Sequence, residues 1–125
     1  MSASRPTVLL AGKVHPRVRQ RVEAEFEAIS IDAGNASLLD DDQRARIRGV
    51  AAATAIPAEF IDSLPNLEVI ANFGVGYDAV DAGHAATRQV MVTNTPDVLS
   101  EEVADTTVGL LLNTVRELPK AEAYL

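Results

Sequence analysis

Leu67-Glu68-Val69-Ile70-Ala71-Asn72-Phe73-Gly74-Val75-Gly76-Tyr77-Asp78 decides the reading of this chain: a short apolar run that passes straight into two closely spaced glycines. Apolar runs of this length bounded by turn residues read as buried strands, and the glycines mark a strand-to-helix turn. The same rhythm extends outward in both directions. On the N-terminal side Thr7-Val8-Leu9-Leu10-Ala11-Gly12 reads as a buried strand, and Pro16 opens a helix with Val18, Val22 and Phe26 at four-residue spacing. Ile29-Ser30-Ile31 reads as a short outer strand, followed by the turn-rich Asp32 to Asn35 and a polar helix around Asp40 to Ile47. Gly49 to Thr54 is made of small residues with helix propensity, yet its place between two helical segments favours a strand. Ala58 to Leu64 is a helix ended by Pro65. On the C-terminal side Asp81 to Arg88 reads as a helix and Val90 to Asn94 as a fifth strand. A long helix follows, capped by Ser100, striped by Val103, Thr107, Leu110, Leu111, Thr114, Val115 and Leu118, and stopped by Pro119. Five strands alternating with helices predict an α/β domain, a parallel sheet with helices on both faces in the flavodoxin-like strand order.

Composition excludes several functions. The 125 residues suffice for one domain with a real core, and 47% hydrophobic against 23% charged residues is ordinary for a globular chain. Eleven Lys and Arg against 18 Asp and Glu give a net charge of −7, which repels phosphate backbones and anionic lipid, so neither nucleic acid nor a membrane is expected as a partner. There is no Cys, and the only His residues, His15 and His84, lie far apart in sequence, so a zinc site is not expected. The N-terminal stretch Met1 to Pro6 leads only to the short apolar run Val8 to Ala11, below the length of a signal-peptide core or a membrane span, which reads as a cytoplasmic protein.

Gly74-Val75-Gly76-Tyr77-Asp78-Ala79 has the spacing of a dinucleotide fingerprint, with Asp97 about twenty residues on. Two points oppose that reading. The turn follows the fourth strand rather than the first, and Asp78 and Asp81 crowd the helix entry that a pyrophosphate would need bare. A small carboxylate is a better guest, because the glycines let it approach the N–H groups of Val75 and Gly76. A turn that merely needs positive φ accounts for the same glycines equally well. His84 reads as a helical surface residue; His15, at the carboxyl end of the first strand, is a weak candidate for ligand contact. Asp40-Asp41-Asp42 reads as a solvated helix entry rather than a cation site.

The stretch Leu64 to Asp78, together with Val92-Thr93-Asn94-Thr95-Pro96-Asp97-Val98-Leu99 and Glu102-Val103-Ala104-Asp105-Thr106-Thr107, resembles the N-terminal part of D-isomer-specific 2-hydroxyacid dehydrogenases, most of all the glyoxylate, hydroxypyruvate and hydroxyphenylpyruvate reductases. The resemblance implies a substrate-binding domain over residues 1–98 and an interdomain helix over 99–125 leading to a separate NAD(P)-binding Rossmann domain. It implies that Val75 and Gly76 face the substrate carboxylate, that Val75 also lies near the nicotinamide, and that Thr107 contacts the cofactor, NAD or NADP. The family's Arg, its acid-base His and the Glu paired with that His come later than Leu125, so no catalytic residue is expected in this chain and the 125 residues alone are expected to be inactive. The implied reaction is hydride transfer from NAD(P)H to a small 2-oxo acid, giving a D-2-hydroxy acid. Exposed apolar surface on the long helix predicts self-association, a homodimer. A stand-alone noncatalytic flavodoxin-like binding or signalling module is the alternative.

Overall fold

The computed structural model describes residues 5–124, so the first four residues of the N-terminal reading and Leu125 lie outside it. Five strands, β1 (Thr7–Gly12), β2 (Glu27–Ile31), β3 (Ile47–Ala53), β4 (Val69–Asn72) and β5 (Met91–Thr93), form one sheet in the order β2-β1-β3-β4-β5. Every pairing is parallel. This is the flavodoxin-like order expected from the alternation of elements. The small-residue segment is indeed a strand: Ala51 and Ala52 sit between β1 and β4 in the ladder, where tertiary pairing overrides the helix propensity of alanine.

Successive side chains of a strand point to opposite faces, and the core divides accordingly. Leu9, Val50, Ala52 and Ile70 face α3 (Ala58–Asp62) and α4 (Ala82–Thr87), which contribute the buried Phe60, Ile61 and Ala85. Leu10 and Ala51 face α1 (Pro16–Glu25), which packs Val18 and Val22 against them. The second face is only partly roofed, since Ala71 and Thr93, in register with Ala51, remain exposed. At the β2 edge α2 (Asp41–Arg46) is capped by Asp40, which accepts from Gln43 N while Gln43 returns a bond to the Asp40 N–H. Asp41 and Asp42 pair with Arg44 and Arg46, so the acidic run is a helix entry, as its sequence suggested. Arg46 also reaches Glu27 on β2 at 2.6 Å, fastening that edge.

The long C-terminal helix departs from its sequence reading in two ways. α5 (Ser100–Val115) starts with Leu99 at its N-cap and no capping side chain, so Ser100 is already inside the first turn and does not cap. Nor does the helix run to Pro119. Glu117 takes a left-handed φ of 50° after α5 ends, and Pro119 falls in the first turn of a further helix, α6 (Leu118–Tyr124), where its missing N–H costs nothing. Every residue from Pro96 to Tyr124 is exposed except the half-buried Gly109, so α5 and α6 do not pack into the sheet's core.

Candidate functional site

Open parallel sheets bind ligands beyond the carboxyl ends of their strands. Here that region is the loop from Phe73 to Asp81, between β4 and α4. The glycines do not open a helix directly: α4 begins only at Ala82, after Val80 has formed an isolated bridge with Ile56. Asp81 caps it by accepting from the His84 N–H at 2.9 Å. The dinucleotide-fingerprint spacing is therefore not matched by a helix N-terminus at the glycines. Nor does the turn require positive φ. Gly12 alone among the described glycines is in the left-handed region, at 83°, so conformational freedom does not explain Gly74 and Gly76.

What distinguishes the turn is how its carbonyls are held. The Gly74 oxygen accepts from the Thr95 N–H at 2.9 Å. The Val75 oxygen accepts from Asn94 Nδ2 at 2.7 Å, and the Gly76 oxygen from Asn72 Nδ2 at 2.9 Å. Asn72 ends β4 and Asn94 follows β5, so two neighbouring strand ends hold three successive peptide groups. Val75, Gly76 and Tyr77 are all exposed, and among the described residues none of their N–H groups donates to protein. A side chain built on Gly76 would approach only Asp78 Oδ2, at 3.4 Å, so the space over this peptide is open. Three hollows border the loop from Phe73 to Asp81. One, about 180 Å³, lies between Val14 before α1, Val18 on it, and Ala71, Phe73 and Asn94; another, about 380 Å³, lies among Tyr77, Ala82, Ala86, Val92 and Asn94; the third, about 670 Å³, lies among Ile56, Pro57, Tyr77, Asp78 and Asp81.

The two histidines have structural partners. His15 is the N-cap of α1, its Nδ1 accepting from the Arg17 N–H at 3.2 Å, and its ring lies 6.1 Å from that of Phe73, tilted by 31°. This places it beside the turn, closer to the candidate site than its sequence position alone showed. His84 donates from Nε2 to Asp62 Oδ1 at 2.8 Å, away from the glycines on the α3 side of α4. Together with Arg88 it holds the Asp62 carboxyl below the usual carboxylate range, the His84 hydrogen bond being the larger cause.

Val75 and Gly76 are thus brought together with the strand ends, whereas Thr107 stands apart on α5, its hydroxyl donating to the Val103 carbonyl at 2.7 Å. Both fit only a marginal contact with a nucleotide: Val75 offers an exposed apolar side chain, and the Thr107 oxygen keeps acceptor capacity beyond its own helix. The residues that sequence reasoning passed over are Asn72 and Asn94. Each was visible as an amide side chain at the end of an apolar run, but only the fold shows that both reach the same turn. Among the described residues no cluster of His, Asp or Glu could hold a metal ion, and no helix is long and apolar enough to cross a membrane.

Comparison with known proteins bears directly on this arrangement. Residues 8–122 match the family model of the D-isomer specific 2-hydroxyacid dehydrogenase catalytic domain. A glyoxylate/hydroxypyruvate reductase A of Arabidopsis thaliana is 42% identical over 91 residues, 71% of this chain and 29% of the relative. An NADPH-dependent glyoxylate/hydroxypyruvate reductase from Sinorhizobium meliloti superposes with a TM-score of 0.88 in its citrate complex, at 51% identity over 98% of this chain. The same enzyme in complex with NADP and malonate gives 0.85 at 52% identity. This chain spans 38% of those structures and 29% of the Arabidopsis relative. A strand order, a glycine turn and a family match that runs through α5 lead to one conclusion: the chain belongs to the D-isomer-specific 2-hydroxyacid dehydrogenases, within their catalytic domain.

Proposed function

We propose that this chain is the substrate-binding part of an NAD(P)H-dependent reductase that converts a small 2-oxo acid, such as glyoxylate or hydroxypyruvate, into its D-2-hydroxy acid. The observation that carries the reading is the exposed turn at Val75 and Gly76, whose N–H groups are free of protein partners while the neighbouring carbonyls are held. Such N–H groups bind a carboxylate by charge-assisted hydrogen bonds without bringing a cation into the site. The S. meliloti relative, with its complexes of malonate and citrate, supports a carboxylate as the guest. Glycine at 76 leaves room for that approach, and Val75 adds an apolar edge for the nicotinamide.

When bound, the nicotinamide cofactor supplies the hydride. The residues of this chain hold the acid so that one face of its carbonyl meets that hydride, a contribution of proximity and orientation. Thr107 touches the cofactor from α5. Residues 99–125 lead through α5 and α6 toward a nucleotide-binding domain, a reading supported by the change from a packed sheet domain to almost wholly exposed residues after Pro96. Acid-base chemistry and most nucleotide contacts belong to further residues of the enzyme, and the working protein is a homodimer of the cytoplasm.

The test is a chimera joining this chain to the remainder of the S. meliloti relative, followed by NAD(P)H absorbance. Turnover of glyoxylate or hydroxypyruvate is expected from the chimera and none from the 125 residues alone. A folded chimera that binds nucleotide but reduces neither acid overturns the reading.

A further inference from the structure

In a trans peptide the carbonyl of one residue and the N–H of the next point in opposite directions within one rigid plane. Fixing a carbonyl therefore aims the following N–H. At the glycine turn three successive carbonyls are fixed, Gly74 by the backbone of Thr95, Val75 by the side chain of Asn94 and Gly76 by the side chain of Asn72. The N–H groups of Val75, Gly76 and Tyr77 are the opposite ends of those same planes, and each is turned away from the strand ends that hold its carbonyl. Without the two amides, rotation about the backbone of the half-buried Gly74 and the exposed Gly76 would let these planes flip, and a flipped plane would present a carbonyl oxygen to an anion.

We propose that Asn94 and Asn72 are positioning residues of the carboxylate site, and that they extend it from two donors to three by aiming the N–H of Tyr77 alongside those of Val75 and Gly76. The inference rests on the carboxylate reading of this turn. Asn is suited to the task, since its amide donates to a carbonyl from a short stem with few rotatable bonds, and it carries no charge that would compete for the anion. The nearby Asp78 makes that control necessary. Its carboxylate stands beside Gly76, so a bound anion must be held by directed N–H dipoles rather than by a general positive field.

The experiment uses the ¹⁵N-labelled chain and oxalate, a stable mimic of a two-carbon 2-oxo acid. In the unsubstituted chain the side-chain amides of Asn72 and Asn94 should have backbone-like order parameters, and the amides of Val75, Gly76 and Tyr77 should shift saturably with oxalate. Asn94→Ala and the isosteric Asn94→Asp should lower the order parameter at Gly76, Asn72→Ala that at Tyr77, and each should weaken oxalate binding about tenfold or more while resonances of β1 and β3 stay in place. Mobile side-chain amides in the unsubstituted chain, or variants that keep both turn order and oxalate affinity, overturn the positioning role and leave the carboxylate reading intact. Loss of turn order with unchanged affinity also overturns it. A Tyr77 amide that stays still while Val75 and Gly76 shift removes the third donor. If none of the three amides responds to oxalate, the carboxylate reading itself falls.

Discussion

His84 on α4 donates to Asp62 on α3 at 2.8 Å, and Arg88, which caps the C-terminus of α4, reaches the same Asp62 oxygen at 2.6 Å. A donor on one helix and a donor at its C-cap thus grip a single carboxylate on another helix, closing the layer that covers β3 and β4. The Asp62 carboxyl titrates below its ordinary range because both donors favour its charged form. A carboxyl whose folded pKa is depressed stabilises the fold above its unfolded pKa, and that contribution is lost as pH falls through the folded value. Asp62→Asn should therefore lower the thermal midpoint at neutral pH, and the gap from the unsubstituted chain should close in acid. A gap independent of pH from neutral down to the acid limit of folding would refute the account.

Gly12 ends β1 with φ of 83°, and a Cβ placed there would meet the Ala53 carbonyl oxygen at 2.8 Å and Thr54 Cβ at 2.9 Å. Strain and collision act together, since the left-handed conformation disfavours a side chain and the neighbour is backbone. Gly12→Ala should cost about 1–3 kcal/mol in urea unfolding. A loss below about 0.5 kcal/mol, the ordinary range for surface changes, would contradict this.

Gly76 presents the opposite case. Its φ is not left-handed and its Cβ direction meets only the end of a flexible Asp78 side chain. Gly76→Val should fold with stability within about 0.5 kcal/mol of the original, as exposed substitutions do. In the chimera it should lower kcat/KM for glyoxylate by about tenfold or more, through the isopropyl group standing over the N–H groups, with less effect on nucleotide affinity. Unchanged kinetics in a folded variant would show that the turn serves structure only.

Val103, Leu110, Leu111, Val115 and Leu118 are all close to half or more exposed on α5 and the start of α6. Covering a few hundred Å² of such surface would contribute several kcal/mol at about 25 cal/mol per Å². The chain should associate reversibly as concentration rises, measured by sedimentation or light scattering. Deleting residues 98–125 should abolish association while leaving the thermal midpoint of the monomer within a few degrees, because the helix adds little to the core. A monomer at every concentration, or a deleted chain that fails to fold, would contradict the prediction.

The sheet was legible because its strands other than the short, alternating β2 contain apolar runs bounded by turn residues, and even the ambiguous Gly49 to Thr54 was settled by its place in the alternation. Local signals at α5 misled. Ser100 is a good capping residue one position too late, and Pro119 serves as a starter of α6 rather than a terminator of α5, since both roles suit a residue without an N–H. At the site, the glycine turn announced itself but its reason did not. Glycine tolerates both positive φ and close approach, and sequence does not separate them; the backbone angles of Gly74 and Gly76 do. Asn72 and Asn94 lie 22 positions apart, and only parallel pairing of β4 with β5 sets their amides over one loop.

A site written in main-chain N–H groups separates two kinds of change. If the turn holds a carboxylate as proposed, substitutions at positions 75 and 77 would alter the side chains bordering the guest but leave its N–H donors in place, because every residue except proline brings the same N–H. On that reading, variation there would retune which 2-oxo acid is preferred without losing the class. The sensitive positions would lie elsewhere, at two asparagines placed behind the donors and at one glycine whose contribution is the absence of a side chain.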